Sequence, residues 1–420
     1  MIVNVILAVV AIWTIAVIGL FALKGGLFRA TWREPYLDGV NVVIESDDWG
    51  PGGDFHIERL ADVMNLMTRH RDSLGRPAVF TADMILSVPD LARMEKEGYQ
   101  TYHRAYLQEA FPELADAFRH WVNAGVLMPQ FHGLEHCNGP TIRTLATAGD
   151  ERVPAPTPNE TWWDWETLDS PLQGHYVDGG SLPTTPVDDQ RQAEWVRLGI
   201  EHFSAVFGFR PTSAVAPCYL WNDTTEAHWH SNGVEYIQTA GYRCSGRDHD
   251  GTYQQDRPWI VFGACNERGQ IYLVRNTMFE PTDGRGVDDA LKEAASNVAQ
   301  GLPVSISTHR YNYTRSEAAH QDSMAQFDRL LDGLSKLGRT RFLSSPELGA
   351  AVKEPHQPIV SPGLGESWPP LTQLASVAKL GAFLCRLWFR HQKLRQIAAL
   401  TGLVIPGYVL VQLGRAARSA

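Results

Sequence analysis

The chain has 420 residues, of which 44% are hydrophobic, and its formal net charge is −10. A chain of this length can bury a large core, and the composition favours one barrel-sized domain with attachments over three small domains. The sequence contains no internal repeat and no long low-complexity tract, and we expect no nucleic-acid partner. Its five cysteines are odd in number and lack Cys-x-x-Cys spacing, which argues against a disulfide framework and favours reduced thiols.

Residues 2–23 are uncharged and mostly aliphatic. In a helix they are long enough to cross a hydrocarbon layer of ~30 Å, so residues 1–24 are predicted to be a transmembrane anchor, with a secretory signal peptide as the alternative. Lys24, Arg29 and Arg33 follow directly, and positive flanks tend to stay in the cytoplasm. The sequence therefore predicts a protein of the inner (cytoplasmic) membrane with a single N-terminal span. Its core would face the cytoplasm or, if the topology is reversed, the outside.

The C-terminal end is basic. No acidic residue follows Glu366, whereas seven lysines and arginines do. This distribution predicts that residues 372–420 form an amphipathic and partly apolar helical tail associated with membrane lipids. A proline-rich linker, residues 351–371, precedes this tail.

Strand-like and helix-like segments alternate over residues 36–350, which predicts an α/β fold with parallel strands and crossover helices, either a barrel or a doubly wound sheet. Residues 260–274 have the pattern of a local hairpin, and residues 139–186 look like an insertion. The expected helices are 55–71, 112–123, 188–207, 287–300 and 317–337, and the expected strands after the first are 78–83, 213–219, 234–239, 304–309 and 341–344.

The first strand ends at two adjacent carboxylates. Asp47 and Asp48 follow a run rich in β-branched residues and precede Trp49-Gly50. In α/β folds, ligating and catalytic groups collect where such strands end. Because neighbouring side chains of an extended chain point in opposite directions, one carboxylate could bind a metal while the other faces a substrate. The alternative is a turn or helix cap with solvated aspartates.

A second apolar run ends in His132-Gly-Leu-Glu-His136. Two imidazoles four residues apart share one face if the chain turns helical after the strand, and they could then bind one metal. The alternative is an ordinary surface or core pair. In combination with the two aspartates, the pattern favours a metal site.

Two further strand ends carry polar groups. Residues 214–219 end in a proline-containing turn whose backbone N–H groups could stabilise a developing oxyanion. Residues 304–309 end in His309, which is either a functional group or a satisfied structural histidine. Together, the four strand ends supply the groups that one hydrolytic reaction needs.

The order Asp-Asp-x-Gly, His-x-x-x-His, Pro-x-Tyr and a strand-end histidine resembles the polysaccharide deacetylase (NodB-like, carbohydrate esterase 4-type) family over residues 40–348. The resemblance implies a distorted (β/α)7-type barrel that removes an N-acyl group, acetyl or formyl, from a sugar. It also implies one divalent metal ion, with zinc as the first choice and cobalt, manganese or nickel as alternatives. The implied metal ligands are Asp48, His132 and His136, and the implied catalytic groups are the base Asp47, the acid His309 and the backbone of Tyr219 as oxyanion donor.

The substrate implied by the predicted anchors is a lipid-linked sugar, as in the polyprenyl-phosphate-sugar deacetylases and deformylases that resemble this chain, or else a cell-envelope polysaccharide. Three tryptophans of the insertion could stack on sugar rings, lie at a membrane interface or pack within the loop. These tryptophans are Trp162, Trp163 and Trp165.

The chain departs from the family pattern in several places. Ser46 and Trp49 flank the two aspartates, and Ala216 stands where the family has an arginine that holds the base. The usual aspartate partner of the acid histidine is not evident, with Asp248 and Asp250 as candidates. Two alternatives therefore stay open, a metal-independent glycoside hydrolase and an inactive, membrane-anchored carbohydrate-binding protein.

Overall fold

The computed structural model describes residues 2–156, 162–354, 360–361, 374–400 and 402–419. They divide into two compact units. The barrel unit comprises Val40–Ala294 and Val304–Lys353, and the terminal unit comprises Met1–Gly39, Ala295–Pro303 and Glu354–Ala420. Of the predicted linker, residues 355–359 and 362–371 lie outside the described residues.

The barrel unit is built on a nine-stranded sheet in which every pairing is parallel. The strand order is β6-β5-β4-β3-β2-β1-β8-β7, and β9 pairs with the first half of β1. In chain order, the strands are β1 Val40–Trp49, β2 Phe80–Ile85, β3 Leu127–Gly133, β4 Ser213–Ala214, β5 Tyr236–Thr239, β6 Ile271–Val274, β7 Thr277–Met278, β8 Val304–His309 and β9 Thr340–Leu343.

The two strands at the ends of this order, β6 and β7, are consecutive in the chain. Only Arg275 and Asn276 separate them, so one segment pairs with β5 and then with β8. The sheet thus closes on itself, which confirms the predicted barrel-like α/β architecture. All ten residues of β1 are buried, as expected for a strand with helices on one face and the barrel interior on the other.

Helices connect the strands of the barrel unit, and their ends follow local chemistry. The crossover helix Asp189–Phe207 begins where Asp188 accepts a hydrogen bond from the Arg191 N–H and ends at Gly208, whose φ is 79°, in agreement with the preferences of helix caps. The helices are Phe55–Arg69, Leu91–Lys96, Leu107–Ala110, Pro112–Asn123, Gly139–Ala148, Asp189–Phe207, Asp223–Ser231, Val287–Ala299, Tyr311–Thr314, Glu317–Ser335 and Ser345–Lys353.

Two segments differ from the sequence prediction. The predicted hairpin over 260–274 does not form, because Ile271–Val274 pairs in parallel with β5 as part of the main sheet. The predicted strand 213–219 stops at Ala214, and the 3₁₀ turn Pro217–Tyr219 follows, since proline has no N–H to continue a ladder.

The terminal unit contains the helices Ile2–Leu23, Gly25–Arg33, Leu374–Arg390, Gln392–Leu400 and Val404–Ser419, and the strand Tyr36–Leu37 pairs with Val360–Ser361. Among the described residues, no helix combines the length and the apolar character required to cross a bilayer. The predicted transmembrane anchor at residues 1–24 and the inner-membrane location derived from it were therefore wrong.

The predicted lipid-facing tail also makes internal contacts. Arg386 is 2% exposed and donates hydrogen bonds to the carbonyls of Glu34, Pro35, Gln300 and Gly301. A guanidinium bound to four carbonyls is engaged in the packing of this unit rather than free for a headgroup layer.

A substitution in the turn after β1 would test whether the stability of the barrel depends on close backbone packing at this turn. Gly50 has a φ of 145°, and a Cβ atom there would overlap the backbone carbonyl of Ile85. We expect Gly50→Ala to lower the free energy of unfolding by about 3 kcal/mol, from steric overlap plus an unfavourable φ, as measured by urea denaturation. The matched control is Gly75→Ala, with a φ of 79° and no atom within 4 Å of the added Cβ, which we expect to cost about 1 kcal/mol. Equal costs would contradict the packing argument.

Candidate metal centre and active site

Asp48, His132 and His136 converge at one end of the barrel. The Asp48 Oδ1 lies 3.2 Å from the His132 Nε2 and 3.3 Å from the His136 Nε2. One potential ligand atom from each residue lies within 4.8 Å of the other two, and all three residues are buried. The structure thus brings together the three residues proposed from the sequence as metal ligands.

The strands and their turns hold these side chains in place. Asp48 has a φ of 75°, a strained value for a residue other than glycine. The His132 Nδ1–H donates to the Val215 carbonyl at 3.0 Å, which fixes the ring and leaves Nε2 as the ligand atom. His136 lies in a bend after β3 rather than in the expected helical turn, and the Trp165 ring stacks on it at 3.9 Å.

The protonation states suit a cation. Burial raises the pKa of Asp48, but the nearby imidazoles of His136 and His132 outweigh burial and lower it to about 2. Burial lowers the pKa of His136 to about 3. At neutral pH these two groups are a carboxylate and a neutral imidazole, the forms that bind a metal. A set of one carboxylate and two imidazoles fits a catalytic divalent ion such as zinc, because three protein ligands leave open positions.

Asp47 points to the other side of β1 and meets Arg275. The two carboxylate oxygens accept hydrogen bonds of 2.7 Å each from the Nη1 and Nη2 of Arg275. Burial raises the pKa of Asp47, but the charge and hydrogen bonds of Arg275, with the charges of His132 and His309, outweigh burial and hold it well below its usual range. Asp47 is therefore ionised and oriented, as a general base must be.

Arg275 also binds two further carboxylates in the barrel interior. Its Nε donates to Glu45 at 2.9 Å and its Nη2 to Asp83 at 2.8 Å. Burial raises the pKa of Asp83 well above its usual value, and the charges of Asp47 and Glu45 add to the rise although Arg275 opposes it.

His309 ends β8, and its Nε2 lies 3.8 Å from the Asp47 Oδ2. Its Nδ1 lies 2.6 Å from the Glu280 Oε1. Burial lowers the pKa of His309, but the charge of Glu280 and this hydrogen bond outweigh burial and raise it to about 10. Glu280 is thus the partner of His309. The candidates from the sequence, Asp248 and Asp250, lie in an exposed turn.

Tyr219 is close to the site through its hydroxyl group, which lies 3.3 Å from Arg275 Nη1. Its backbone N–H donates to the Ala216 carbonyl at 3.0 Å and closes the 3₁₀ turn. The role of this N–H as an oxyanion donor stays a prediction, and it requires that the turn open.

Arg275 and Glu280 were not predicted from the sequence, although both follow strand-like runs of the kind that marked the other candidate residues. Each follows a short apolar strand-like run, Ile271–Val274 in one case and residues 277–279 in the other. The predicted hairpin over 260–274 hid the first run. If residues 271–274 had been predicted as a strand, the polar residues that follow the two runs would have been candidate partners of the base Asp47 and the acid His309.

The three tryptophans of the insertion differ in how far they are buried. Trp163 and Trp165 are 4% and 2% exposed and belong to a core cluster with Ile85 and Leu91, so they pack within the unit. Trp162 is half-buried, and its ring lies 6.1 Å from that of Phe55. Of the three, Trp162 alone is left as a candidate for stacking on a sugar.

No protein-family model and no curated protein matches the chain. Among solved structures, it is similar to the Xyl-CE4 domain of a multidomain xylanase from the hindgut metagenome of Trinervitermes trinervoides, with 11% identity over 76% of this chain and 94% of that chain and a TM-score of 0.36. It is also similar to a family 4 carbohydrate esterase from Streptomyces lividans in complex with acetate, with 11% identity over 71% and 91% and a TM-score of 0.35.

A third similar structure is 4-alpha-glucanotransferase from Thermococcus litoralis, with 7% identity over 74% of this chain and 40% of that chain and a TM-score of 0.38. Two of these three structures belong to the family that the sequence motifs resemble. All three TM-scores are below 0.5.

The buried cluster around Arg275 predicts a large loss of stability when its charge is removed. Arg275→Gln leaves Glu45, Asp47 and Asp83 without their shared cation, so we expect the free energy of unfolding to fall by about 3–5 kcal/mol, as measured by urea denaturation at neutral pH. The matched control, Arg197→Gln, breaks an ion pair with Glu201 in which both side chains are 52% exposed, and we expect it to cost at most about 1 kcal/mol. Similar losses for both variants would show that Arg275 is not the shared counterion.

Proposed function

We propose that this protein is a metal-dependent hydrolase that removes an N-acyl group, acetyl or formyl, from a sugar. The observation that carries the proposal is the convergence of Asp48, His132 and His136, whose ligand atoms lie within 4.8 Å of one another, beside Asp47 and His309. An ionised base, a protonated acid and a set of metal ligands at one end of a barrel are the groups that amide hydrolysis requires.

A divalent ion held by Asp48, His132 and His136 would supply Lewis acidity and an activated water. Asp47 is proposed to accept the proton of the attacking water, since Arg275 keeps it ionised. His309 is proposed to donate a proton to the departing amine nitrogen, since Glu280 keeps it protonated and directs Nε2 toward the site. Tyr219 is proposed to stabilise the oxyanion with its backbone N–H. The products are the free amino sugar and acetate or formate.

The geometry disfavours both alternatives. A glycoside hydrolase that used Asp47 and Asp48 as its two carboxylates would need one of them to have a raised pKa and act as an acid, whereas the pKa values of both are lowered. An inactive protein was suggested by Ala216, but Arg275, between β6 and β7, binds Asp47 in place of the missing arginine. Assays on a panel of substrates would determine whether the sugar is attached to a lipid or belongs to a cell-envelope polysaccharide.

The central experiment tests metal binding and acyl release together. His132→Ala is expected to lower bound zinc and the rate of acetate or formate release by at least about 100-fold, because it removes a ligand. Metal content would be measured on dialysed protein, and release on N-acetylated and N-formylated glucosamine derivatives, oligosaccharides and polyprenyl-phosphate conjugates. The control is His228→Ala, which removes an imidazole paired with the exposed Asp189 and is expected to change neither quantity. Undiminished release by metal-free protein would overturn the proposal.

The acid role of His309 predicts a shift in the pH profile. A histidine acts as an acid while protonated, so activity is lost as pH rises through its pKa, which Glu280 raises to about 10. Glu280→Gln keeps the size of the side chain but removes the charge, and we expect the alkaline limb of kcat/KM to move to lower pH by at least about one unit. Glu267→Gln, at an exposed position of the same stretch, is the control. A limb that stays in place in Glu280→Gln would rule out this pair.

A further inference from the structure

Part of the insertion lies against the candidate metal centre. In residues 162–168, the Trp162 ring lies 6.1 Å from the ring of Phe55 and 5.2 Å from that of His56, two residues in the first turn of the helix Phe55–Arg69. Three residues further on, the Trp165 ring stacks on the ligand His136 with an interplanar angle of 19°. We call residues 162–168 the metal-side lip.

Within the metal-side lip, Glu166 forms an ion pair with Arg310. Its Oε1 accepts hydrogen bonds from the Nε of Arg310 at 2.9 Å and from the Nη2 at 2.7 Å. The Arg310 side chain is 1% exposed, follows His309 in the chain and also donates to the Pro51 carbonyl at 2.9 Å. Glu166 is therefore fixed to the two strand ends that carry the proposed base and acid.

The second oxygen of Glu166 is available. Its Oε2 accepts no hydrogen bond from any residue that the structure describes, and the side chain is 16% exposed. Burial raises the pKa of Glu166, Arg310 opposes this rise, and the charge of Asp48 adds to it. Among the described residues, Glu166 does not belong to the group whose ligand atoms converge.

The surroundings of this oxygen indicate its ligand. Phe55 is 43% exposed, and Trp162, whose ring lies 6.1 Å from that of Phe55, is half-buried and precedes Glu166 by four residues, so this region of the molecule offers both aromatic surface and a carboxylate. A fixed anion with a free acceptor oxygen binds an O–H donor through a charge-assisted hydrogen bond, and an aromatic face covers the apolar side of a ring. A neutral sugar has both features, hydroxyl groups and an apolar ring face.

We propose that Glu166 binds a hydroxyl group of the N-acylated sugar through its Oε2, and that the metal-side lip thereby selects carbohydrate substrates. This assignment rests on the proposed function and deepens it, since it names a specificity-determining residue of the same site. Arg310 acts through Glu166 as a positioning residue.

The test measures coupling between Glu166 and single hydroxyl groups. Steady-state kinetics of zinc-loaded wild type, Glu166→Gln and Glu166→Asp would be compared on N-acetylglucosamine oligosaccharides and on analogues in which one hydroxyl at a time is replaced by hydrogen. In the wild type, we expect one analogue to raise KM about 10-fold, the typical effect of losing a hydrogen bond to a charged group. In Glu166→Gln, KM for the parent sugar should rise to a similar extent, and the penalty for that analogue should shrink to about twofold.

Several controls make the outcome decisive. Asp169→Asn changes an exposed carboxyl three residues away and is expected to leave every KM unchanged. Glu166→Asp keeps a charge for Arg310 while withdrawing the free oxygen, so it reports on the hydroxyl contact if Glu166→Gln unfolds. An analogue penalty that is the same in the wild type and in the Glu166 variants would overturn the assignment of Glu166 alone. Failure of the zinc-loaded wild type to release acetate from any acylated sugar would instead overturn the proposed function.

Discussion

The site depends on the charge of one buried arginine. Arg275 lies where the chain leaves β6 for β7, at the seam that closes the barrel, and its guanidinium binds three carboxylates from β1 and β2. Burying several acids without a cation would be very costly, so the fold and the orientation of Asp47 require the same side chain. A bidentate guanidinium also fixes the plane of the carboxylate, which an ammonium group would not do.

The different environments of Asp47 and Asp48 follow from the strand on which they lie. Glu45 and Asp47 are two residues apart on β1 and therefore share the face toward Arg275. Asp48 faces the other way, and its left-handed backbone conformation brings Oδ1 between the two imidazoles. The strained backbone of Asp48 and the close approach of Gly50 to Ile85 both lie at the end of β1, where the regular strand geometry stops and the candidate site begins.

The parts of the site that the sequence predicted are those that strand ends determine. Asp48 and His132 lie at the carboxyl ends of β1 and β3, two parallel strands on either side of β2, so both fall at the same edge of the sheet once the two runs are assigned as strands. The helical turn proposed for His136 did not form, because the helix begins only at Gly139. Arg275 and Glu280 could not be placed, because pairing between β5 and β6 is long-range and local periodicity over 260–274 is equally compatible with a hairpin. The apolar residues 2–23 satisfied a composition rule for a membrane span that the structure does not bear out.

Residues 271–280, which contain β6 and β7 and end at Glu280, connect these observations. Arg275 and Glu280 are five residues apart, and they act on the two proposed proton-transfer groups in opposite directions, since one lowers the pKa of Asp47 and the other raises that of His309. Hydrolysis of an amide needs an unprotonated base and a protonated acid at the same pH, and the two pKa values are separated because each group faces a partner of opposite charge. Arg275 and Glu280 both belong to residues 271–280, the segment that pairs with β5 and with β8. The pairing of β6 with β5 and of β7 with β8 therefore helps to place Arg275 beside Asp47 and Glu280 beside His309.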